Sequence, residues 1–372
     1  MSSALLLDPA EMLPRQAYFD PDWHRWEMET LFARQWHFAG MTNDVPTSGD
    51  FTCVDVGASP MVVVRQNDGS LRAFHNLCRH RGAVILEGRG NVRAGIRCFY
   101  HSWIYDLDGA LRGIPQRDQF GAVATTDLGL KGGAIEVFAG MMFVHTDPGA
   151  QGTLLKWLDA FPEHFGPFEP ETMTEIMDDS MPVAANWKLF IENHIDGYHL
   201  AHLHRRSIHG IDHDQQRHSL YGNHWTIHEP LTRANELPEF EQRIPGLVLF
   251  PDDAHWMASN VHLLFPNLGV ATGSKWFLTL QALPTGPATS VIRTRMRVRF
   301  PTDDQVLPDL AYNTSGNSAD TDLMAEDRMA AERLQKAMSS PQFRIGPLAR
   351  EYECAVLAFH QSILQQRERT MA

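Results

Sequence analysis

CRHRGAVILEGRGNVRAGIRCFYH, residues 78–101, decides how this chain is read. It opens on Cys78 and His80, runs through seventeen residues, and closes on Cys98 and His101. Two thiolates and two imidazoles in this order suit a [2Fe–2S] centre in which the Cys pair holds one iron and the His pair the other. Neutral imidazoles in place of two thiolates lower the negative charge of such a cluster, so it accepts electrons more readily. The rival reading is structural zinc, which also takes Cys₂His₂ but usually as a Cys pair followed by a His pair. Here each knuckle carries one of each.

The flanking sequence supports the cluster. Met61–Gln66 and Leu71–Asn76 predict a hairpin about Asn67-Asp68-Gly69-Ser70, leading straight into Cys78. Ser102–Leu107 with the Asp108-Gly109 turn predicts a second hairpin just after His101. Two tight loops would then clamp the cluster between them.

The stretch NWKLFIENHIDGYHLAHLH, residues 186–204, suggests a second metal site. Two imidazoles and a carboxylate make the facial triad of non-haem Fe(II) oxygenases, with open positions for O₂ and substrate. His199 is one candidate ligand. Helical spacing favours partners three or four residues away, so His202 rivals His204 as its mate unless the helix unwinds between them. The carboxylate should come from a distant segment. Thr321–Met338 predicts a helix with Leu323, Ala330, Leu334 and Met338 on one stripe, and Asp327 falls on that stripe. A buried carboxylate needs a partner, and a metal ion or an Arg would serve. On the same helix Glu326 points a quarter turn away, and Glu332 with Lys336 reads as a solvent-side pair.

At 372 residues and 43% hydrophobic content, the chain has room for two domains. Its 45 acidic and 32 basic residues, formally −13, argue against nucleic acid or anionic membrane as partners. Cys53 and Cys354 read as small apolar residues. Ala4–Leu7 is too short an apolar run for a signal peptide, and thiolate iron ligation points to a reducing compartment, so the expected location is cytoplasmic. Asp147–Gly152 reads as a linker. The fold class expected is α+β: an antiparallel β domain over residues 40–150 for the cluster, and a catalytic domain from residues 1–39 and 151–372, including an N-terminal helix near Asp20–Phe38. The alternation in VIRTRMRVRF, residues 291–300, predicts a strand of that second domain. No Gly-x-Gly-x-x-Gly motif opens a βαβ unit, so NAD(P)H must act through a separate protein.

Taken together, the Cys/His quartet, the NWK…EN..DGYH….H block, AEDRMAAERLQ (325–335) and GPLAREYECAVLAFH (346–360) resemble the α subunit of a Rieske non-haem iron oxygenase along nearly the whole chain. LPRQAYFDPDWHRWEMETLFARQWHFAG (13–40) is most similar to the small trimeric branch of choline, carnitine and glycine-betaine oxygenases and demethylases. The resemblance implies a curved antiparallel catalytic sheet flanked by helices. It assigns Cys78, His80, Cys98 and His101 to the cluster, and His199, His204 and Asp327 to a mononuclear Fe(II). It gives Asp196 the role of bridging His101 of one subunit and His199 of the next, and it implies a homotrimer, or an α₃β₃ assembly with a small β subunit. Asn193 and Glu192 are candidates for supporting the iron. A flavin/iron–sulfur reductase, or a ferredoxin, would deliver electrons. The expected reaction is hydroxylation or oxidative demethylation of an aromatic acid or a betaine-type amine. Tyr221, Trp225, Trp256, Trp276 and Phe277 are candidate pocket aromatics. The alternatives are a Rieske electron carrier without catalysis and a zinc-stabilised binding protein.

Overall fold

The computed structural model describes residues 12–371 apart from 206, 209, 234, 235, 243 and 301–322. Ala4–Leu7, His209 and the start of the helix expected from Thr321 lie outside the described residues. The chain divides into two compact units, residues 26–157 and residues 1–25 with 158–372.

In the first unit, strands β1 (His37–Met41), β2 (Asp50–Val56), β3 (Ser59–Arg65), β4 (Leu71–His75) and β5 (Arg89–Asn91) join β9 (Gly132–Phe138) and β10 (Met141–His145) in one antiparallel sheet. Its order is β1-β10-β9-β4-β3-β2-β5. A smaller sheet holds β6 (Ile96–Arg97), β7 (Ile104–Tyr105) and β8 (Leu111–Gly113). Met61–Val64 is an unbroken apolar run because β3 is buried on both faces. Val62 and Val64 pack with Phe74, Trp103, Tyr105, Cys78 and Cys98, while Met61 and Val63 join a separate core with Met142 and Val144. Both expected hairpins form. Asp68 Oδ1 accepts from the Ser70 N–H at 2.9 Å and Gly69 takes φ +84°, which closes the β3–β4 turn. The helix expected near Asp20–Phe38 is shorter. Pro21–Trp26 is α-helical, Glu27–Leu31 and Phe32–Arg34 continue as π and 3₁₀ turns, and His37 opens β1. Asp20 Oδ1 accepts from the N–H groups of Asp22 and Trp23, as an N-cap does.

The second unit is built on β11 (Thr174–Val183), β12 (Arg217–Tyr221), β13 (His224–Glu229), β14 (Ser259–Leu264), β15 (Leu268–Thr272), β16 (Trp276–Gly286) and β17 (Thr289–Val298). All pair antiparallel in the order β11-β17-β16-β15-β14-β13-β12. Three helices matter for the site: α1 (Trp187–Ile195), α2 (Leu200–Leu203) and α3 (Leu323–Met338). Register assigns the sheet faces. Trp225 opposes Leu263, Leu263 opposes Gly269, and Gly269 opposes Leu280, so these share one face. A Cβ on Gly269 would stand 2.6 Å from His194 Nε2, so this face looks onto α1. The reverse face carries Thr226, His262, Val270 and Thr279. Along β17 the arginines fall on that reverse face and staple the edge strand: Arg293 to Asp178 at 2.7 Å, and Arg297 to Glu175 at 3.1 Å.

Candidate metal centres

In the first unit, two loops of matching build carry the Cys/His quartet. The Gly82 N–H closes onto the Cys78 carbonyl at 2.9 Å, and the Ser102 N–H onto the Cys98 carbonyl at 3.0 Å. Each closing residue has positive φ, +75° at Gly82 and +56° at Ser102. Cys78 and Cys98 are buried, whereas the two histidines reach the surface end of the loops. His80 Nδ1 and His101 Nδ1 face each other at 3.2 Å. Trp103 stacks on His80 with ring centroids 5.0 Å apart. Burial raises the Cys78 thiol, opposed by the Tyr105 hydroxyl 3.3 Å from its sulfur. That hydroxyl also accepts from the Arg79 N–H at 2.9 Å, fixing the loop.

Among the described residues, His199, His204 and Asp327 bring three ligand atoms within 4.8 Å of one another. Cys53 is inert by comparison: burial pushes its thiol up to about 12.

His199 and His204 come together because the helix is broken on either side of the single turn that joins them. α1 ends where Asp196 turns extended, at φ −84° and ψ 103°. α2 is a single turn with His199 at its N-cap and His204 just past its end, at φ −92° and ψ 23°. Leaving the helix swings His204 back, so the two Nε2 atoms lie 3.1 Å apart. His202, three-residue spacing from His199 notwithstanding, is exposed, its ring edge-on to Tyr198.

α3 brings Asp327, which is 8% exposed. Its Oδ1 lies 2.9 Å from His204 Nε2 and 3.8 Å from His199 Nε2, yet among the described residues no hydrogen bond of acceptable angle satisfies it. Three lone-pair donors aimed at one another, one a buried carboxylate oxygen without a proper donor, are what a divalent cation resolves. Burial works against a charged His204, but Asp327 and Glu326 outweigh it and raise its pKa.

The α3 stripe differs from the sequence reading. Asp327, Ala331 and Met338 form its buried side, and Leu334 is 44% exposed. Glu332 pairs with Arg328 at 2.9 Å instead of Lys336, and it also accepts from the Ala184 N–H. Glu326, placed by the sequence a quarter turn from the site, accepts from His204 Nδ1 at 2.8 Å. A carboxylate beside a candidate ligand was the only sequence signal for it. Glu192 does not reach the trio: Tyr18 Oη and His360 Nε2 hold its Oε1 at 2.7 and 3.0 Å. Asn193 is buried, and its Nδ2 has no hydrogen-bond partner among the described residues. Asp196 turns its carbonyl oxygen to His199 Nδ1 at 2.5 Å, with a carboxylate oxygen 3.6 Å from the same nitrogen.

Of the five candidate aromatics, Trp225 and Trp276 lie on the sheet face toward α1, and Trp225 donates to His218 Nδ1 at 3.0 Å. Tyr221 and Phe277 take the reverse face, stacked on His164 and set edge-on to Phe165, and Trp256 packs against Phe168. Tyr221 and Phe277 are core aromatics, separated from the Trp225 face by the sheet alternation, while Trp256 is partly buried on a short helix, Ala254–Met257.

An antiparallel β unit with a paired-donor loop site, and an α+β unit with a two-His-one-carboxylate trio, together define an iron-dependent oxygenase with its own electron store. Comparison with known proteins agrees. Residues 170–368 match the ring hydroxylating alpha subunit (catalytic domain) family, and residues 35–132 match the Rieske [2Fe–2S] domain. The glycine betaine monooxygenase oxygenase subunit of Chromohalobacter salexigens is 30% identical over 93% of this chain and 84% of its own. The chloroplastic choline monooxygenase of Spinacia oleracea is 24% identical over 95% of this chain and 77% of its own. In structure, the quaternary ammonium Rieske monooxygenase CntA bound to L-carnitine superposes with TM-score 0.76 at 20% identity, covering 95% of each chain. Naphthalene 1,2-dioxygenase with indole bound gives 0.77 at 22% identity, over 98% of this chain and 94% of that one.

The chain belongs to the ring-hydroxylating α-subunit family of Rieske oxygenases. It is an oxidoreductase with a [2Fe–2S] cluster and a mononuclear iron, and it depends on a reductase for electrons. A carrier would have no use for residues 170–368, and a zinc-stabilised binding protein accounts for neither match.

Proposed function

We propose that this protein is a terminal monooxygenase for a small betaine-type quaternary amine, which it hydroxylates or oxidatively demethylates. Cys78 and Cys98 hold one iron of the cluster, His80 and His101 the other, and His199, His204 and Asp327 hold the mononuclear iron. The observation that carries this reading is the convergence of those last three side chains on one point. When bound, the cluster supplies stored electrons and the mononuclear iron supplies the chemistry that activates dioxygen.

The remaining steps belong to side chains. Asp196, with its side chain 21% exposed, is the bridge by which a partner subunit's cluster histidine reaches His199, in a homotrimer. Asn193 orients groups beside the iron with its free amide. Trp225 and Trp276, both nearly buried on the face toward α1, are the candidate aromatics for a cation entering there. Glu241 adds negative charge: it lies against Gly273 beside Trp276, and the Ser274 N–H donates to it at 3.1 Å. Desolvation raises the Glu241 pKa, so a cation nearby would favour its charged form. The similarity to the glycine betaine and choline enzymes supports the same substrate class.

The test is a screen with NADH and a generic reductase, following NADH, O₂ and product together. Betaines and choline-like amines should couple NADH use to product, while benzoate- and salicylate-type acids should not. Coupled turnover of the aromatic acids alone would replace the amine reading. Sedimentation should report a trimer, and a monomer would remove the bridge proposed for Asp196.

A further inference from the structure

One turn of α3 grips both nitrogens of a single imidazole. Asp327 Oδ1 stands 2.9 Å from His204 Nε2, and Glu326 Oε2 stands 2.8 Å from Nδ1. Ser207 locks the second contact: its hydroxyl donates to the same Glu326 oxygen at 2.6 Å, and its N–H donates to the His204 carbonyl at 3.1 Å. His204 itself is 1% exposed, so water does not compete for either nitrogen. His199 is treated differently. Its outer nitrogen meets a neutral backbone carbonyl at 2.5 Å, and the nearest carboxylate oxygen is 3.6 Å away.

We propose that Glu326, held by Ser207, is the positioning residue that makes His204 the tighter of the two imidazole ligands. The inference rests on His199, His204 and Asp327 being the iron ligands. A full carboxylate accepting from Nδ1–H pins the tautomer, directs the Nε2 lone pair inward and strengthens it as a donor. An amide carbonyl pins the tautomer of His199 with less charge behind it. The two rings thus divide the work: His204 anchors the metal, and His199 keeps its outer side toward Asp196. Because consecutive residues of α3 supply a ligand and the orienter of another, docking of α3 on α2 completes the site in one event.

The experiment uses the full-length, cluster-loaded protein and measures Co(II) and Fe(II) affinity at the mononuclear site by chelator competition. Removing a carboxylate that orients a metal-bound His commonly costs on the order of 10- to 100-fold in metal affinity. E326A should lose that much, with E326D recovering part of it. E326Q, which keeps an acceptor without the charge, should fall between and shift the visible bands of the Co(II) form. D196N should bind metal like the parent chain. Unchanged affinity and unchanged Co(II) bands in E326A and E326Q would overturn the proposal. If either variant loses the parent's far-UV CD spectrum or its cooperative urea unfolding, which report folding of the unit that carries the trio, E326D and S207A decide, and parental affinity in both overturns it equally. A parent protein that takes up no metal at this site would refute the ligand assignment itself, an outcome distinct from a parent and E326A that bind alike.

Discussion

His199 and His204 present their Nε2 atoms 3.1 Å apart although five residues separate them along the chain. On a continuous helix that spacing turns the second ring roughly 140° from the first, since each residue advances about 100°. The single turn of Leu200–Leu203, broken at both ends, removes the constraint.

The first prediction follows from that break. H199A and H204A should each lose most of the mononuclear iron while keeping the cluster, and H202A, whose ring is exposed, should keep both. Iron and acid-labile sulfide counted per chain check this. An H202A protein lacking the mononuclear iron would reassign the ligands.

D196N should retain cluster and iron yet turn over on the order of 10- to 100-fold more slowly, as when a group tuning a metal ligand is lost. Its own carbonyl, not its carboxylate, is the near partner of His199, so the substitution leaves that ring held. Coupled product formation together with EPR of the reduced cluster is the measurement. Full coupled activity would end the bridging role.

Gly269 is a packing prediction. An added Cβ would come within 2.6, 2.8 and 3.1 Å of three atoms of the His194 ring. The ring must swing away and give up the 3.1 Å contact of its Nε2 with the His262 carbonyl. G269A should therefore cost about 1–3 kcal/mol, the usual range for overpacking. Denaturant unfolding measures it, and a loss below half a kcal/mol would mean that the strand yields.

The fourth concerns acid. His262 is fully buried behind the sheet, and its pKa is lowered to about 3 by burial, with His164 and His194 adding to the effect. A folded-state pKa below the ordinary 6.5 means that the unfolded chain binds the proton first. The stability tied to His262 is therefore complete above pH 6.5 and drains away as pH falls toward 3, by at most about 1.4 kcal/mol per pH unit. H262N should be less stable than the parent at pH 7.5, but the gap should narrow by pH 4.5. Urea midpoints at both values test it, and a constant gap would contradict the assignment.

The two metal sites were legible in different degrees. Cys78 and His80 follow one hairpin and Cys98 and His101 precede another, both with strong turn residues, so local sequence alone sets their spacing. The loop closures Cys78–Gly82 and Cys98–Ser102 are as local as the motif. The trio was legible only as candidates. Nothing within residues 199–204 tells His202 from His204 until the end of the helix is known, and the resemblance to a family, not the spacing, made that choice. Glu326 was misplaced because the stripe was centred on Ala330 and Leu334, whereas the buried side runs through Ala331. A shift of one residue rotates a helix by about 100°, enough to carry a carboxylate from solvent into the site. The pocket aromatics were over-counted for a related reason: Tyr221 and Trp225 sit on neighbouring strands, and only the pairing of Trp225 with Leu220 across the turn puts them on opposite faces.

By itself the sequence determined the chemistry on offer: soft and borderline donors in short-range patterns, an α+β composition, and an acidic chain. Those features depend on neighbours within a few residues, where turn and strand preferences act. Only the tertiary structure decided which donors meet. Bringing Asp327 and Glu326 to opposite nitrogens of His204 depends on how a helix more than a hundred residues away is rotated against the sheet, and packing sets that rotation.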